Sequence, residues 1–275
     1  MSKSRSGTAP ARLPALAAAL CLAASLGVGA CADDEREYVE RPAEDIYDEA
    51  VAELESGNES EAAGLFDEVE RQHPYSEWAT RAQLMAAYSH YEALEYDEAV
   101  VALDRFIRLH PGSEDTDYAY YLRALCYYER ISDVERDQRM TVLALDALQE
   151  VVNRFPDSVY ARDASLKLDL AYDQLAGKEM EIGRWYLRQG HYNAAINRFR
   201  TVVEQFQTTS HVPEALHRLT EAYLSLGLRE EAQVTAAVLG YNYPGSEWYQ
   251  DSYADLVDPS YRPPDDDQGW LSSIF

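Results

Sequence analysis

One stretch, residues 81–111, is copied along most of the chain, and that repetition limits the fold more than anything else in the sequence. Leu84, Ala87, Tyr88 and Tyr91 recur at helical spacing. After Tyr96-Asp97-Glu98, a second apolar face runs through Ala99, Leu103, Phe106 and Ile107 until Pro111 stops it. Each copy therefore reads as helix, tight turn, helix. Sliding the sequence against itself places Ala50, Gly57, Ala62, Phe66, Val69 and Pro74 where Ala87, Leu94, Ala99, Leu103, Phe106 and Pro111 stand. A third copy keeps Ala124, Ala144, Leu148, Val151 and Pro156, with a charged insertion around 133–138. The fourth has Gly183, Tyr186, Gly190, Tyr192, Ala195, Phe199 and Val202, and the fifth Leu219, Tyr223, Gly227, Ala232, Leu239 and Pro244. Only the fourth lacks the closing proline, having Gln207.

Small residues let two antiparallel helices touch, and Phe or Leu fills the space between them. A single pair cannot bury such a face, but stacked pairs bury a continuous one. The expected fold is all-α: a right-handed α-solenoid of about five tetratricopeptide-like helix pairs over 44–257, its concave surface made mainly by the first helix of each pair. Pro-x-Ser follows four of the stops, at Pro74, Pro111, Pro156 and Pro244, so Ser76, Ser113, Ser158 and Ser246 should each cap the next helix. Residues 161–188 hold no strong breaker besides Gly177, which predicts a longer helix joining the first three pairs to the last two.

Residues 1–30 read as a lipoprotein signal peptide that is removed. Lys3, Arg5 and Arg12 precede an apolar run from Leu13 to Val28, shorter than the roughly 20 residues a spanning helix needs. Leu26-Gly27-Val28-Gly29-Ala30-Cys31 then resembles a bacterial lipobox, making Cys31 the acylated N-terminus. By resemblance to sorted lipoproteins, Ala32 in place of Asp favours the outer membrane, with the protein facing the periplasm. Since each buried methylene contributes about 0.8 kcal/mol, a di- or triacylated Cys31 anchors the chain without help from the solenoid. Residues 31–43 form a short acidic linker, and 258–275 an acidic tail expected to be disordered. That tail ends in Trp270, Leu271, Ile274 and Phe275, apolar enough for a docking peptide.

Without its first thirty residues the chain keeps 21 basic against 49 acidic residues, a net charge of −28. Nucleic acid and anionic headgroups are repelled by such a surface, which serves solubility or a basic partner. Cys21 leaves with the signal and Cys31 is lipidated, so Cys126 is left with no intramolecular disulfide partner. Its apolar setting beside Leu122 and Leu125 suits a buried small hydrophobe.

The sequence contains no phosphate loop, nucleophile elbow or zinc motif. His73 and His110 belong to the connectors, and 114–117 lacks the glycine and terminal glutamate of a calcium loop. The expectation is a non-enzymatic protein with no cofactor and no metal. What stands out is aromatic: Tyr47 in the first pair, Arg81, Tyr88 and Tyr91 in the second, and Tyr118, Tyr121 and Tyr128 in the third. These project from first helices and are expected to line a groove for an extended peptide, offering flat apolar area with a hydroxyl at low entropic cost.

Three stretches carry a family resemblance: Phe66 through Pro74-Tyr75-Ser76, the run Ala99 to Pro111 containing Leu103-Asp104-Arg105-Phe106-Ile107-Arg108-Leu109-His110-Pro111, and Asp117-Tyr118-Ala119-Tyr120-Tyr121-Leu122-Arg123-Ala124-Leu125. With the lipobox, they resemble the BamD family, the lipoprotein subunit of the outer-membrane β-barrel assembly machine, over roughly 31–249. Ala124, Gln207 and the acidic tail depart from the family pattern. The resemblance implies a scaffold whose N-terminal repeats receive the C-terminal targeting segment of unfolded outer-membrane proteins. Its C-terminal repeats would hold the periplasmic domains of the barrel-forming subunit, beside other assembly lipoproteins. Arg198 matches a family position at that second surface. A second reading keeps the same repeats in a periplasmic adaptor for cell-wall synthesis or Tol-Pal-type constriction. Against it, the dozen or so residues after Cys31 leave no room for the coiled coil such adaptors carry.

Overall fold

The structure is a computed structural model that describes residues 40–257. The signal peptide, Cys31, most of the linker and the tail with Trp270 and Phe275 lie outside the described residues. A helical body begins at Pro42. Among the described residues it contains eleven helices. They are α1 (Ala43–Glu55), α2 (Glu59–Gln72), α3 (Glu77–Glu92), α4 (Tyr96–Leu109), α5 (Thr116–Tyr128), α6 (Arg139–Arg154), α7 (Val159–Arg188), α8 (Tyr192–Gln205), α9 (Val212–Ser225), α10 (Arg229–Asn242) and α11 (Glu247–Val257). They form five pairs and one closing helix. Each helix packs on its neighbours in sequence, and the first helices of successive pairs also touch, as α1 does α3 and α5 does α7. This is an α-solenoid of helix pairs.

Four of the five intra-pair turns share one geometry. Gly57, Gly190 and Gly227 adopt φ of 81°, 70° and 75°. The following residue then donates its N–H back to the last turn of the helix: Asn58 to Glu53, His191 to Tyr186 and Leu228 to Tyr223, each at 2.9 Å. At this place the second pair carries Leu94, the one non-glycine of positive φ (61°) among the described residues, and Glu95 makes the same bond to His90. A side chain there costs roughly 1–2 kcal/mol, and Leu94 is 69 % exposed, so it returns little by packing. Leu94→Gly should therefore raise the unfolding free energy by about 0.5–1 kcal/mol in a denaturant titration, the gain being trimmed by the looser unfolded chain.

The connectors between pairs turn at the residue before the proline. His73, His110, Phe155 and Tyr243 end their helices with φ between −125° and −134°, outside the α region that a following proline disfavours. Phe206 does the same at −123° with Gln207 behind it. There the Thr209 hydroxyl donates to the Phe206 carbonyl at 2.8 Å and holds the turn in the proline's stead. Three connector serines cap as expected: Ser76 accepts from Ala79, Ser158 from Tyr160 and Ser246 from Trp248. Ser113 does not cap a helix. It accepts from the Asp115 N–H, and α5 starts later at Thr116, whose hydroxyl is drawn back to the carbonyls of Ser113 and His110.

The longer helix is α7, with 30 residues. Its middle carries the insertion of the third pair, since Gln174 donates to the Ser132 carbonyl at 2.7 Å and Lys178 to that of Glu135 at 3.1 Å. Its last turns face α8 across Gly183, where a Cβ would stand 2.5 Å from the Phe199 ring. Cys126 is fully buried, and burial pushes its thiol up to about 12, which makes it a packing residue.

Candidate functional site

The tyrosines come from first helices because an apolar stripe of helical period leaves one flank free after packing. Each rests its inner edge on a core cluster. Tyr47 lies against the cluster of Ile46, Ala50 and Phe66, while Tyr88, Tyr91 and Tyr118 lie against that of Leu84, Leu103 and Phe106. Tyr121 and Tyr128 pack on the cluster of Leu148 and Val151. All six rings are half-buried, and Arg81 is exposed. The surface is thus a row of ring edges and hydroxyls.

Its middle is continuous. Tyr118 and Tyr121 both meet the Tyr160 ring from α7, at centroid distances of 5.2 and 5.1 Å, the second pair stacked. Burial raises the Tyr118 hydroxyl well above its ordinary value, helped by Tyr88, Tyr160, Glu92 and Tyr91, so these groups share one neighbourhood. Burial likewise pushes Tyr91 up to about 12, with Glu129 and Tyr96 adding to it. Tyr88 is raised by burial and by a hydrogen bond to Glu92. At neutral pH each of these hydroxyls is protonated and can donate. Tyr121 spends its proton on Asp163, which also accepts from Lys167 at 2.7 Å. Lys167 in turn sits 5.4 Å above the Tyr128 ring.

Tyr47 and Arg81 form a separate patch. Tyr47 packs against Trp78 at 5.0 Å, and the Arg81 guanidinium lies 6.0 Å from the Trp78 ring. Three contributors escaped the sequence reading: Trp78, Tyr160 and Asp163. A signal for two of them was present. Trp78 and Tyr160 each sit two residues past a capping serine, as Trp248 does at the start of α11. That position turns back toward the first helix of the preceding pair.

The motif residues around the band act as stitching. Arg123 of α5 donates to Asp104 of α4 at 2.9 Å and to Glu150 of α6 at 2.6 Å. Arg105 pairs with Glu70, and His110 Nε2 is 2.8 Å from Gln83 Oε1. Ser158 donates to Asp117 at 2.6 Å. These bonds tie helices within and between the pairs that carry the tyrosines. Far along the chain, Arg198 of α8 reaches Glu179 of α7 at 3.0 Å and stays 42 % exposed. It shares no surface residue with the band.

A model of the outer membrane lipoprotein family YfiO matches residues 39–239, which takes in every helix of the band. The outer membrane protein assembly factor BamD of Caulobacter vibrioides is 53 % identical over 90 % of this chain and 81 % of its own. The chain belongs to the BamD family. The BamD of Rickettsia prowazekii is 46 % identical over 86 % of this chain and 94 % of its own length. That of Neisseria meningitidis serogroup A is 34 % identical over 74 % and 80 %. Among the described residues of this BamD-family chain, no helix is long and apolar enough to cross a membrane.

Proposed function

We propose that this chain is a non-enzymatic scaffold of outer-membrane protein assembly, tethered through a lipidated Cys31 and facing the periplasm. The observation that carries the role is its 53 % identity, over nine-tenths of its length, to an outer-membrane protein assembly factor. The band from Tyr88 to Tyr160 receives the extended C-terminal segment of an unfolded barrel protein, with rings gripping aromatic side chains and hydroxyls meeting open backbone groups. Tyr47, Trp78 and Arg81 offer the same segment a second patch nearer the N-terminus. The face of α8 around Arg198 holds the periplasmic domains of the barrel-forming subunit, and other assembly lipoproteins complete the complex.

The test is a mild-detergent pull-down through a tag after Phe275, with bound proteins identified by mass spectrometry. Recovery of a large outer-membrane barrel protein carrying periplasmic domains is the expected result. Recovery of cell-wall synthases or Tol-Pal components in its place would overturn the reading. Arg198→Ala should cut recovery of that subunit by about tenfold or more, because a central interface arginine contributes about 2 kcal/mol. Its half-buried pair with Glu179 is a single solvent-reached ion pair that contributes about 1 kcal/mol or less to folding, so the melting curve should move little.

A further inference from the structure

The geometry points to a divalent-cation site, made by His217, Glu221 and Asp255, that staples the closing helix α11 to α9. One donor atom from each residue lies within 4.8 Å of the other two. His217 and Glu221 stand one turn apart on α9 and are 2 % and 3 % exposed, whereas Asp255 comes from the last turn of α11 and is half-buried. The site thus has two ligands on one helix and a third that arrives when α11 docks.

The two ligands on α9 are oriented from behind. His217 Nδ1 is 2.8 Å from the Oγ of Ser252, itself fully buried on α11. Nε2 lies 3.2 Å from Glu221 Oε1, where as an N–H it donates to the carboxylate; with Nδ1–H donated to Ser252 instead, its lone pair would turn to a cation shared with that oxygen. Two acceptors at that separation match an edge of the ligand tetrahedron around a small cation, given bonds of about 2.0–2.2 Å. Arg218 donates to Glu221 Oε2 at 3.0 Å, leaving Oε1 for the site, and its guanidinium lies over the Trp248 ring at 5.3 Å. Arg218 also reaches Glu214 at 3.4 Å and so divides its charge between two carboxylates. Outer partners that fix a histidine tautomer and a carboxylate rotamer are what metal sites use to orient ligands. A cation would also neutralise two carboxylates that face each other. One imidazole nitrogen with two carboxylate oxygens suits a first-row ion of the Zn²⁺ or Co²⁺ type, not calcium, which needs 6–8 oxygens.

The cluster lies on other helices than the tyrosine band, which ends at Tyr160 of α7. Along α3 and α5 the flank carries half-buried tyrosines, and along α9 it carries His217, Arg218 and Glu221 beneath α11. A bound cation would hold α11 at the point where the chain runs on into its tail.

The test uses the full purified chain, stripped of metal and titrated with Zn²⁺ by calorimetry and with Co²⁺ by visible absorption. One ion per chain is expected, together with slower amide exchange in α11 on loading. Asp255→Asn keeps the shape of a half-buried side chain and should weaken Zn²⁺ binding at least tenfold while its circular dichroism matches the parent. His217→Gln should abolish the tetrahedral cobalt bands. If the stripped chain binds no ion, or binds one with the same affinity after Asp255→Asn, the site is overturned. Loading that leaves α11 exchange unchanged overturns the staple.

Discussion

Phe199→Ala should lose about 3–5 kcal/mol of unfolding free energy. Phe199 is fully buried and belongs to the cluster of Met180, Leu187, Leu216 and Leu239 that unites α7 through α10. Removing its ring opens a cavity that four surrounding helices can close only in part. Because each pair of a solenoid contacts only its neighbours, the damage should stay local. Hydrogen exchange should quicken from the last turns of α7 through α11, and α1 to α4 should keep their protection. Uniform loss along the chain would contradict that expectation.

Gly183 is the other half of this contact. A Cβ there would stand 2.5–2.9 Å from three atoms of the Phe199 ring, and the buried ring has no room to yield. Alanine gains about 1 kcal/mol of helix propensity over glycine, and overpacking costs about 1–3 kcal/mol, so Gly183→Ala should destabilise on balance. Combined with Phe199→Leu, which frees the space, the two changes should cost less than their sum. Strict additivity would mean that the two positions do not touch.

The second large effect concerns binding. Tyr88→Ala with Tyr91→Ala should weaken binding of a peptide carrying the C-terminal segment of an outer-membrane barrel protein by about 2–3 kcal/mol, roughly thirty- to a hundred-and-fifty-fold in fluorescence anisotropy. Both rings are half-buried on the Leu84 and Phe106 cluster, so the chain should fold with unchanged helicity and a lower melting temperature. Phenylalanine at both positions separates the two contributions. If the rings grip, affinity is kept; if the hydroxyls carry recognition, it falls. Unchanged affinity in the double alanine variant would remove Tyr88 and Tyr91 from the receiving surface.

The helix pairs and their turns were legible because a period of 3.6, a small residue facing a large one, and a stop at Pro-x-Ser are all local signals. Gly57, Gly190 and Gly227 mark the turns, and Leu94 was found only because it occupies their place. Ser113 misled, since its pattern is the same as that of Ser76 while Thr116 draws the backbone into an extra turn before α5. The tyrosines were legible as a set and not as a surface. Tyr118 and Tyr121 join through Tyr160, 42 and 39 residues further on by their numbers, and no periodicity reports that meeting.

By itself, then, the sequence determined that this chain builds stacked helix pairs, where each turns, and which family it belongs to, because those properties live in neighbouring residues. Only the tertiary structure decided that Arg123 ties α4 to α6, that Tyr160 closes the band, and that His217, Glu221 and Asp255 meet beneath α11. The angle between successive pairs brings those groups together, and that angle is set by close packing between side chains far apart in the chain.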